Sequence, residues 1–251
     1  MELSNNQVLI TGGASGIGFA LAEAFLRAGN TVAICGRSRA HLSEASLKLP
    51  ALLTLDCDIA NSKDRYNLRD WIASELPGLN VLVNNAGIQR DISFAAGIDE
   101  FLAGENEIRV NLEAPIVLTG LLIPVLSKNA NSAILNVSSG LGFIPAARMP
   151  VYSASKAGMH AFSMALRLQL AKEGIKVFEI VPPAVDTNLN PEGRAGRGNF
   201  KPDLSPKAFV AAVMQALEQD IPEIGFGMTA GLLQASRADL DKRFAEMNSR
   251  V

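Results

Sequence analysis

The sequence predicts an α/β fold: a doubly wound sandwich with a central, mostly parallel sheet of about seven strands and helices on both faces. Three observations carry the prediction. Short apolar runs alternate with helix-period segments along most of the chain. The runs are apolar almost throughout, as strands buried on both faces must be. The first run also opens through a glycine-rich turn straight into a helix.

Taken in order, strands are predicted at 7–10, 31–35, 51–55, 80–84, 133–137 and 176–181. Helices are predicted at 17–28, 38–48, 62–76 and 151–173, with one long helical region over about 99–127. Pro115 and Pro124 should bend or end turns inside that region. Residues 186–204 carry clustered asparagine, glycine and proline and three basic residues, Arg194, Arg197 and Lys201, and read as a long mobile loop at the substrate side. A helix follows over 205–219, with Ser205 as N-cap and Pro206 at its first position. A short strand near Ile224 and a terminal helix complete the chain. Its 251 residues suit one large domain, 1–251.

Composition narrows the function classes. The formal net charge of -2 offers no basic field for nucleic acid or an anionic membrane. Residues 1–6 lack the basic and apolar segments of a signal peptide. The longest apolar stretch, 115–126, is broken by Thr119, Gly120 and Pro124 and is expected to be a buried helix, not a membrane span. Cys35 and Cys57 form no metal-ligand spacing and read as buried free thiols, which suits a cytoplasmic protein. His41 and His160 are the only histidines, so no metal site is expected.

Thr11-Gly12-Gly13-Ala14-Ser15-Gly16-Ile17-Gly18 follows the first strand. A glycine-rich strand-to-helix turn lets backbone approach a pyrophosphate, whose charge the helix N-terminus then stabilises. The spacing here is GxxxGxG. A carboxylate after the second strand would accept from the ribose 2′-hydroxyl of NAD. Between Glu23 and Glu44 there is no acidic residue, and Arg37 stands where it could pair with a 2′-phosphate. NADP(H) is therefore the expected cofactor, with NAD(H) the lesser alternative. Asp58 and Ile59, after the third strand, either bracket the adenine or start a turn. Asn84-Asn85-Ala86-Gly87 closes the fourth strand, on the side of an open sheet where ligands gather.

Tyr152 and Lys156 stand at i and i+4, on one face of a predicted helix. A free phenol titrates near 10, too high for easy proton exchange at neutral pH. A lysine cation one turn away is expected to lower that value and make Tyr152 a general acid or base. The preceding strand ends in Ser138-Ser139-Gly140, where a hydroxyl could bond a substrate oxygen or simply form a turn.

Together these motifs resemble the short-chain dehydrogenase/reductase family, from the first strand to about residue 219. The resemblance implies a Rossmann-type fold and hydride transfer between nicotinamide and a small carbonyl or alcohol. It assigns catalysis to Asn111, Ser139, Tyr152 and Lys156. Tyr152 would exchange the proton and Ser139 would orient the substrate oxygen. Lys156 would bind the nicotinamide ribose and depress the Tyr152 pKa, and Asn111 would hold a relay water. It implies cofactor contacts at Gly12, Ser15, Gly16, Ile17, Gly18, Arg37, Asp58, Ile59, Asn85, Ala86, Gly87, Val110, Tyr152, Lys156, Pro182, Val185 and Thr187. One departure is Pro182-Pro183, where the family usually has Pro-Gly. That dipeptide and the ending Phe244-Ala245-Glu246-Met247-Asn248 are similar to a bacterial subgroup named for oxidoreductases encoded near teichoic-acid D-alanylation genes.

The substrate pocket is expected to form from residues 140–149, 88–92 and 186–204, with Leu141, Phe143, Ile144 and Met149 as an apolar wall. Arg148 either faces solvent or recruits a carboxylate or phosphate. The two long helices are unusually apolar, and the resemblance implies that they pair in a homodimer or homotetramer. A second reading keeps the fold but makes the chain a catalytically silent NAD(P)H sensor or scaffold. Turnover of carbonyls by wild type but not by Tyr152→Phe separates the two.

Overall fold

A computed structural model describes residues 1–195, 202 and 204–249. Among these residues seven strands form one sheet: β1 (Gln7–Thr11), β2 (Thr31–Gly36), β3 (Leu53–Asp56), β4 (Leu79–Asn84), β5 (Ala133–Val137), β6 (Lys176–Val181) and β7 (Glu223–Gly225). Their order is β3-β2-β1-β4-β5-β6-β7, and every neighbouring pair is parallel. The winding reverses between β1 and β4. In a sheet of this kind the crevice outside that reversal point is the natural ligand site.

Helices cover both faces. They are α1 (Gly16–Arg27), α2 (Arg39–Lys48), α3 (Ser62–Glu75), α4 (Asp99–Leu102), α5 (Ala114–Leu126), α6 (Pro150–Leu170), α7 (Pro191–Ala195), α8 (Pro206–Glu218), α9 (Met228–Leu232) and α10 (Arg237–Asn248). Alternate strand residues serve alternate faces. Val8 and Ile10 join Phe25 of α1 and Phe209 of α8 in one core, whereas Leu9 joins Leu68 of α3, Leu118 of α5 and Leu166 of α6 in the other. Phe25 and Phe209 are fully buried, each contributing roughly 1.5–3 kcal/mol by burial. Side chains fix several helix starts. Asn61 accepts from the Lys63 and Asp64 amides, Ser205 from Ala208, and Ser236 forms a capping box with Asp239.

The long helical region expected at 99–127 is two elements. α4 stops at Leu102, and Asn106 starts afresh by accepting from the amides of Ile108 and Arg109 at 3.0 and 3.2 Å. A π turn over Arg109–Glu113 then leads into α5. Pro115 explains the turn, because it has no N–H to give the carbonyl of Asn111. The Ala114 amide correspondingly bonds the carbonyl of Arg109, five residues back. The apolar helical stretch Arg109–Leu126 is longer than the run 115–126 seen in the sequence: 18 residues of mean hydropathy 1.5, enough by length and composition to cross a membrane. Its Ala114, Leu118, Leu122 and Leu126, one per turn, are fully buried in the core.

The loop expected at 186–204 contains α7. Asn190 caps that helix by accepting from the Gly193 amide at 3.0 Å, and it donates to Asp91 at 2.8 Å. Arg197 and Lys201 of the predicted loop lie outside the described residues. The strand near Ile224 is β7, and the terminal helix is α10.

Candidate active site

The reversal point brings the ends of β1 and β4 together. Gly12 has φ +63°, and a Cβ there would lie 2.8 Å from Ala86 Cα. A Cβ on Gly18 would lie 2.4 Å from the Gly12 carbonyl oxygen. Only glycine permits this contact between turn, helix and neighbouring strand. The Thr11 hydroxyl accepts from the amides of Asn85 and Ala86, and the Asn85 side chain donates to the carbonyls of Thr11 and Gly12 at 2.9 and 3.1 Å. Asn85 therefore borders the cleft as a brace, its amide already spent on the glycine turn. At the start of α1, Ser15 makes no side-chain capping bond, and the first turn holds no acidic residue. The first amides of α1 are thus left for an anion.

A cleft of about 1310 Å³ begins at this turn. Gly12, Ser15, Gly16, Ile17 and Gly18 line one end, followed by Arg37, Asp58 and Ile59. Asn85, Ala86, Gly87 and Val110 line the middle, and Pro182, Val185 and Thr187 one side. Ser139, Tyr152 and Lys156 close the far end. Every predicted cofactor residue borders this one cleft. Asp58 lines the cleft, and its carboxylate also accepts from the Ala60 amide at 3.0 Å, as the turn reading expects. Arg37 is not an unengaged guanidinium, since it pairs with Glu105 beyond α4, while Arg39 pairs with Asp56 at 2.5 Å. No cluster of metal-ligating side chains occurs among the described residues.

Tyr152 and Lys156 share one face of α6 and are 5 % and 4 % exposed. Burial pushes the Tyr152 phenol up to about 12, and a hydrogen bond with Ser139 pulls it back in part. A smaller upward push comes from the carboxylate of Glu107. Burial brings the Lys156 ammonium down to about 8, against an upward pull from Glu179. The net shift of Tyr152 thus runs upward, set by burial, where the sequence led to the expectation of a value depressed by Lys156. Lys156 loses its charge before Tyr152 titrates, and desolvation dominates both groups. Lys156 Nζ donates to the Val137 carbonyl at 2.8 Å, and Ser139 Oγ accepts from the Leu141 amide at 3.2 Å.

Asn111 is 1 % exposed and does not border the cleft. Its side chain accepts from the Ile88 amide at 2.8 Å and donates to the Ile88 carbonyl and to Ser155 Oγ at 2.8 and 3.1 Å. The side-chain amide is thus a strut for the segment after Gly87, and a Cβ built on Gly87 would lie 3.3 Å from Asn111 Oδ1 and 3.6 Å from Lys156 Nζ, so the two side chains approach the same edge of the cleft. Phe143 is also absent from the apolar wall; it packs against His160, with ring centroids 4.5 Å apart. Leu141, Ile144 and Met149 do line the pocket, with Arg148 exposed at its edge. Sequence patterns did not point to Met228, Thr229, Leu232, Met247 and Asn248, which complete the wall from α9 and α10. Only the backbone path places them there.

The short chain dehydrogenase family model matches residues 6–198. The chain belongs to the short-chain dehydrogenase family. It is an oxidoreductase by that membership. It is 45% identical to the uncharacterized oxidoreductase DltE of Bacillus subtilis (strain 168) over 249 residues, 99% of each chain. Among solved structures it resembles a short-chain dehydrogenase from Burkholderia cenocepacia in complex with NADP, at 27% identity and a TM-score of 0.82, covering 97% of this chain and 99% of that one. A short-chain dehydrogenase/reductase from Burkholderia phymatum in complex with NAD shares the fold at 18% identity and a TM-score of 0.84, covering 97% of this chain and 96% of that one.

Proposed function

We propose that this family member is an NADP(H)-dependent reductase of small carbonyl compounds, working in reverse on the corresponding alcohols. The observation that carries the reading is one continuous cleft with a glycine turn and Arg37 at one end and Ser139, Tyr152 and Lys156 at the other. When bound, the nicotinamide supplies or accepts the hydride. The glycine turn and the amides of α1 would hold the pyrophosphate, and Arg37 the 2′-phosphate, exchanging Glu105 for it. Ser139 donates a hydrogen bond to the substrate oxygen, and Tyr152 donates its proton. A phenol near 12 is a competent donor to an alkoxide-like oxygen, whose conjugate acid is about as weak as water. At neutral pH the phenol is therefore held in its protonated form, the form that a carbonyl reduction uses. The NADP complex of the Burkholderia cenocepacia relative agrees with the cofactor, and two buried free thiols suit a reducing, cytoplasmic compartment.

The outer faces of α5 and α6 leave Ile116, Met164 and Leu168 exposed, Leu168 by 81%. We infer that a second copy of the chain covers them, giving a homodimer or a homotetramer. The activity itself is tested by following NADPH absorbance with a panel of aldehydes and ketones. Turnover by wild type and none by Tyr152→Phe is the expected result. NADPH binding without turnover across the panel would remove the reductase reading.

A further inference from the structure

Behind Lys156 lies a group with no place in the scheme above. Glu179 of β6 is fully buried, as its strand position between two packed layers requires. A buried carboxylate is costly unless each oxygen has a partner. Here each has one. Oε1 accepts from the hydroxyl of Ser138, at the end of β5, and Oε2 lies 2.7 Å from Nδ1 of His160, on α6. Ser138 immediately precedes Ser139. His160 is one helical turn beyond Lys156 and so shares its face of α6. Lys156 in turn bonds the carbonyl of Val137, the residue before Ser138.

We propose that Glu179 is a positioning residue of this active site: its carboxylate clamps the end of β5 that carries Ser139 to the helix that carries Tyr152 and Lys156, and serves as the counter-charge for the Lys156 ammonium. The proposal rests on the oxidoreductase reading of the cleft. The other groups facing the pair are few. Tyr152 and Arg167 lie on α6, and Glu223, the register partner of Glu179 on β7, is itself paired with Arg167 at 3.0 Å. Glu223 and Arg167 act on His160 in opposite senses, Glu107 acts on Tyr152, and Glu179 is the carboxylate that acts on Lys156. Glu179 raises the Lys156 pKa against its desolvation, and it raises that of His160 through their hydrogen bond. Phe143, packed on the His160 ring, shields this side of the clamp.

The chain has only two histidines, so long-range ¹H–¹⁵N spectra resolve both imidazoles, and the His160→Gln variant assigns them. In wild type His160 should charge above the ordinary imidazole value of about 6.5. In Glu179→Gln that titration should move down. Glutamine keeps an acceptor for Ser138 but carries no charge, so a packing role alone predicts little movement. For the best carbonyl of the panel, with NADPH, kcat should fall roughly tenfold or more. The ammonium is the form of Lys156 that this proposal puts to work, so the alkaline limb of the kcat profile should shift to lower pH in Glu179→Gln. In His160→Gln, which retains the carboxylate, the limb should stay in place. An unmoved limb in Glu179→Gln, or an equal shift in both variants, overturns the counter-charge. If Glu179→Gln does not fold, wild type decides: His160 charging at or below about 6.5 overturns the clamp. If no carbonyl turns over, the imidazole titrations still judge the clamp while the reductase reading fails separately.

Discussion

Lys156 Nζ lies 5.7 Å from the centre of the Tyr152 ring and donates to the Val137 carbonyl, so the two groups are neighbours without a hydrogen bond between them. Their titrations are ordered accordingly, lysine near 8 and tyrosine near 12. Raising a buried phenol from 10 to about 12 costs its anion about 3 kcal/mol. The chain has two tyrosines, so phenolate absorbance at 295 nm resolves Tyr152 by difference from Tyr152→Phe. We predict a cofactor-free Tyr152 titrating near 12, and higher still in Ser139→Ala. The folded pKa is raised, so this group's stabilising contribution is present below pH 10 and is lost as pH rises through 12. A Tyr152 that titrates below 10 without cofactor would contradict the dominance of burial.

Much of this arrangement was legible in the sequence, because the features that build it are local. The glycine turn, the capped start at Ser205 and the i,i+4 pair each act within a few residues, and each lies where it was expected. Errors arose where local signals gave way to distant partners. Nothing in the spacing of Arg37 announces Glu105, 68 residues away. A tyrosine's burial, which outweighs its lysine neighbour, depends on the whole fold. Pro115 signalled a bend inside the region expected at 99–127, and the π turn lies there, whereas the fresh start at Asn106 was hidden by the apolar pattern that follows it. The clamp at Glu179 was invisible for another reason: a glutamate inside an apolar strand acquires meaning only when Ser138 and His160 are brought to it.

Arg37 and Glu105 are both about half exposed, and an exposed ion pair contributes about 0–1 kcal/mol. A 2′-phosphate offers Arg37 stronger, doubly charged bonding. Arg37→Ala should therefore weaken NADPH binding about tenfold and leave NADH binding unchanged, read by ligand fluorescence. Glu105→Gln should leave NADPH binding equal or tighter. Equal weakening of both cofactors in Arg37→Ala would assign the arginine to the fold and not to the phosphate.

Arg148 borders the cleft four residues before Tyr152 and is exposed, so it can meet an incoming anion without a desolvation cost. Arg148→Ala is expected to raise KM about tenfold for carbonyl substrates that carry a carboxylate, consistent with one lost charge-assisted hydrogen bond. KM for neutral substrates should not change. An equal rise for both kinds would place Arg148 in general packing.

Leu168 is the most exposed of the large apolar residues on α6. If a second copy covers it, Leu168→Lys would bury an unpaired charge in the interface. Sedimentation should then show wild type as a dimer or tetramer at micromolar concentration and the variant shifted to smaller species. A wild type that sediments as a monomer would end the oligomer proposal.

Asn248, at the end of α10, reaches back across the pocket to the segment before Tyr152. Its side chain donates to the Pro145 carbonyl at 3.1 Å and accepts from the Ala147 amide at 2.7 Å. Met247 beside it lines the cleft. No residue of α10 is buried, so the helix is tied to the pocket mainly through these end contacts. Two hydrogen bonds at about 1 kcal/mol each would set the scale of any loss. Asn248→Ala should free residues 145–147 and raise KM for carbonyl substrates about tenfold. The affinity for NADPH should stay unchanged, because Asn248 lies at the opposite end of the cleft from Arg37 and the glycine turn. A parallel loss of NADPH affinity would mean that the tail supports the whole cleft, and an unchanged KM would mean that the clasp does not shape the substrate pocket.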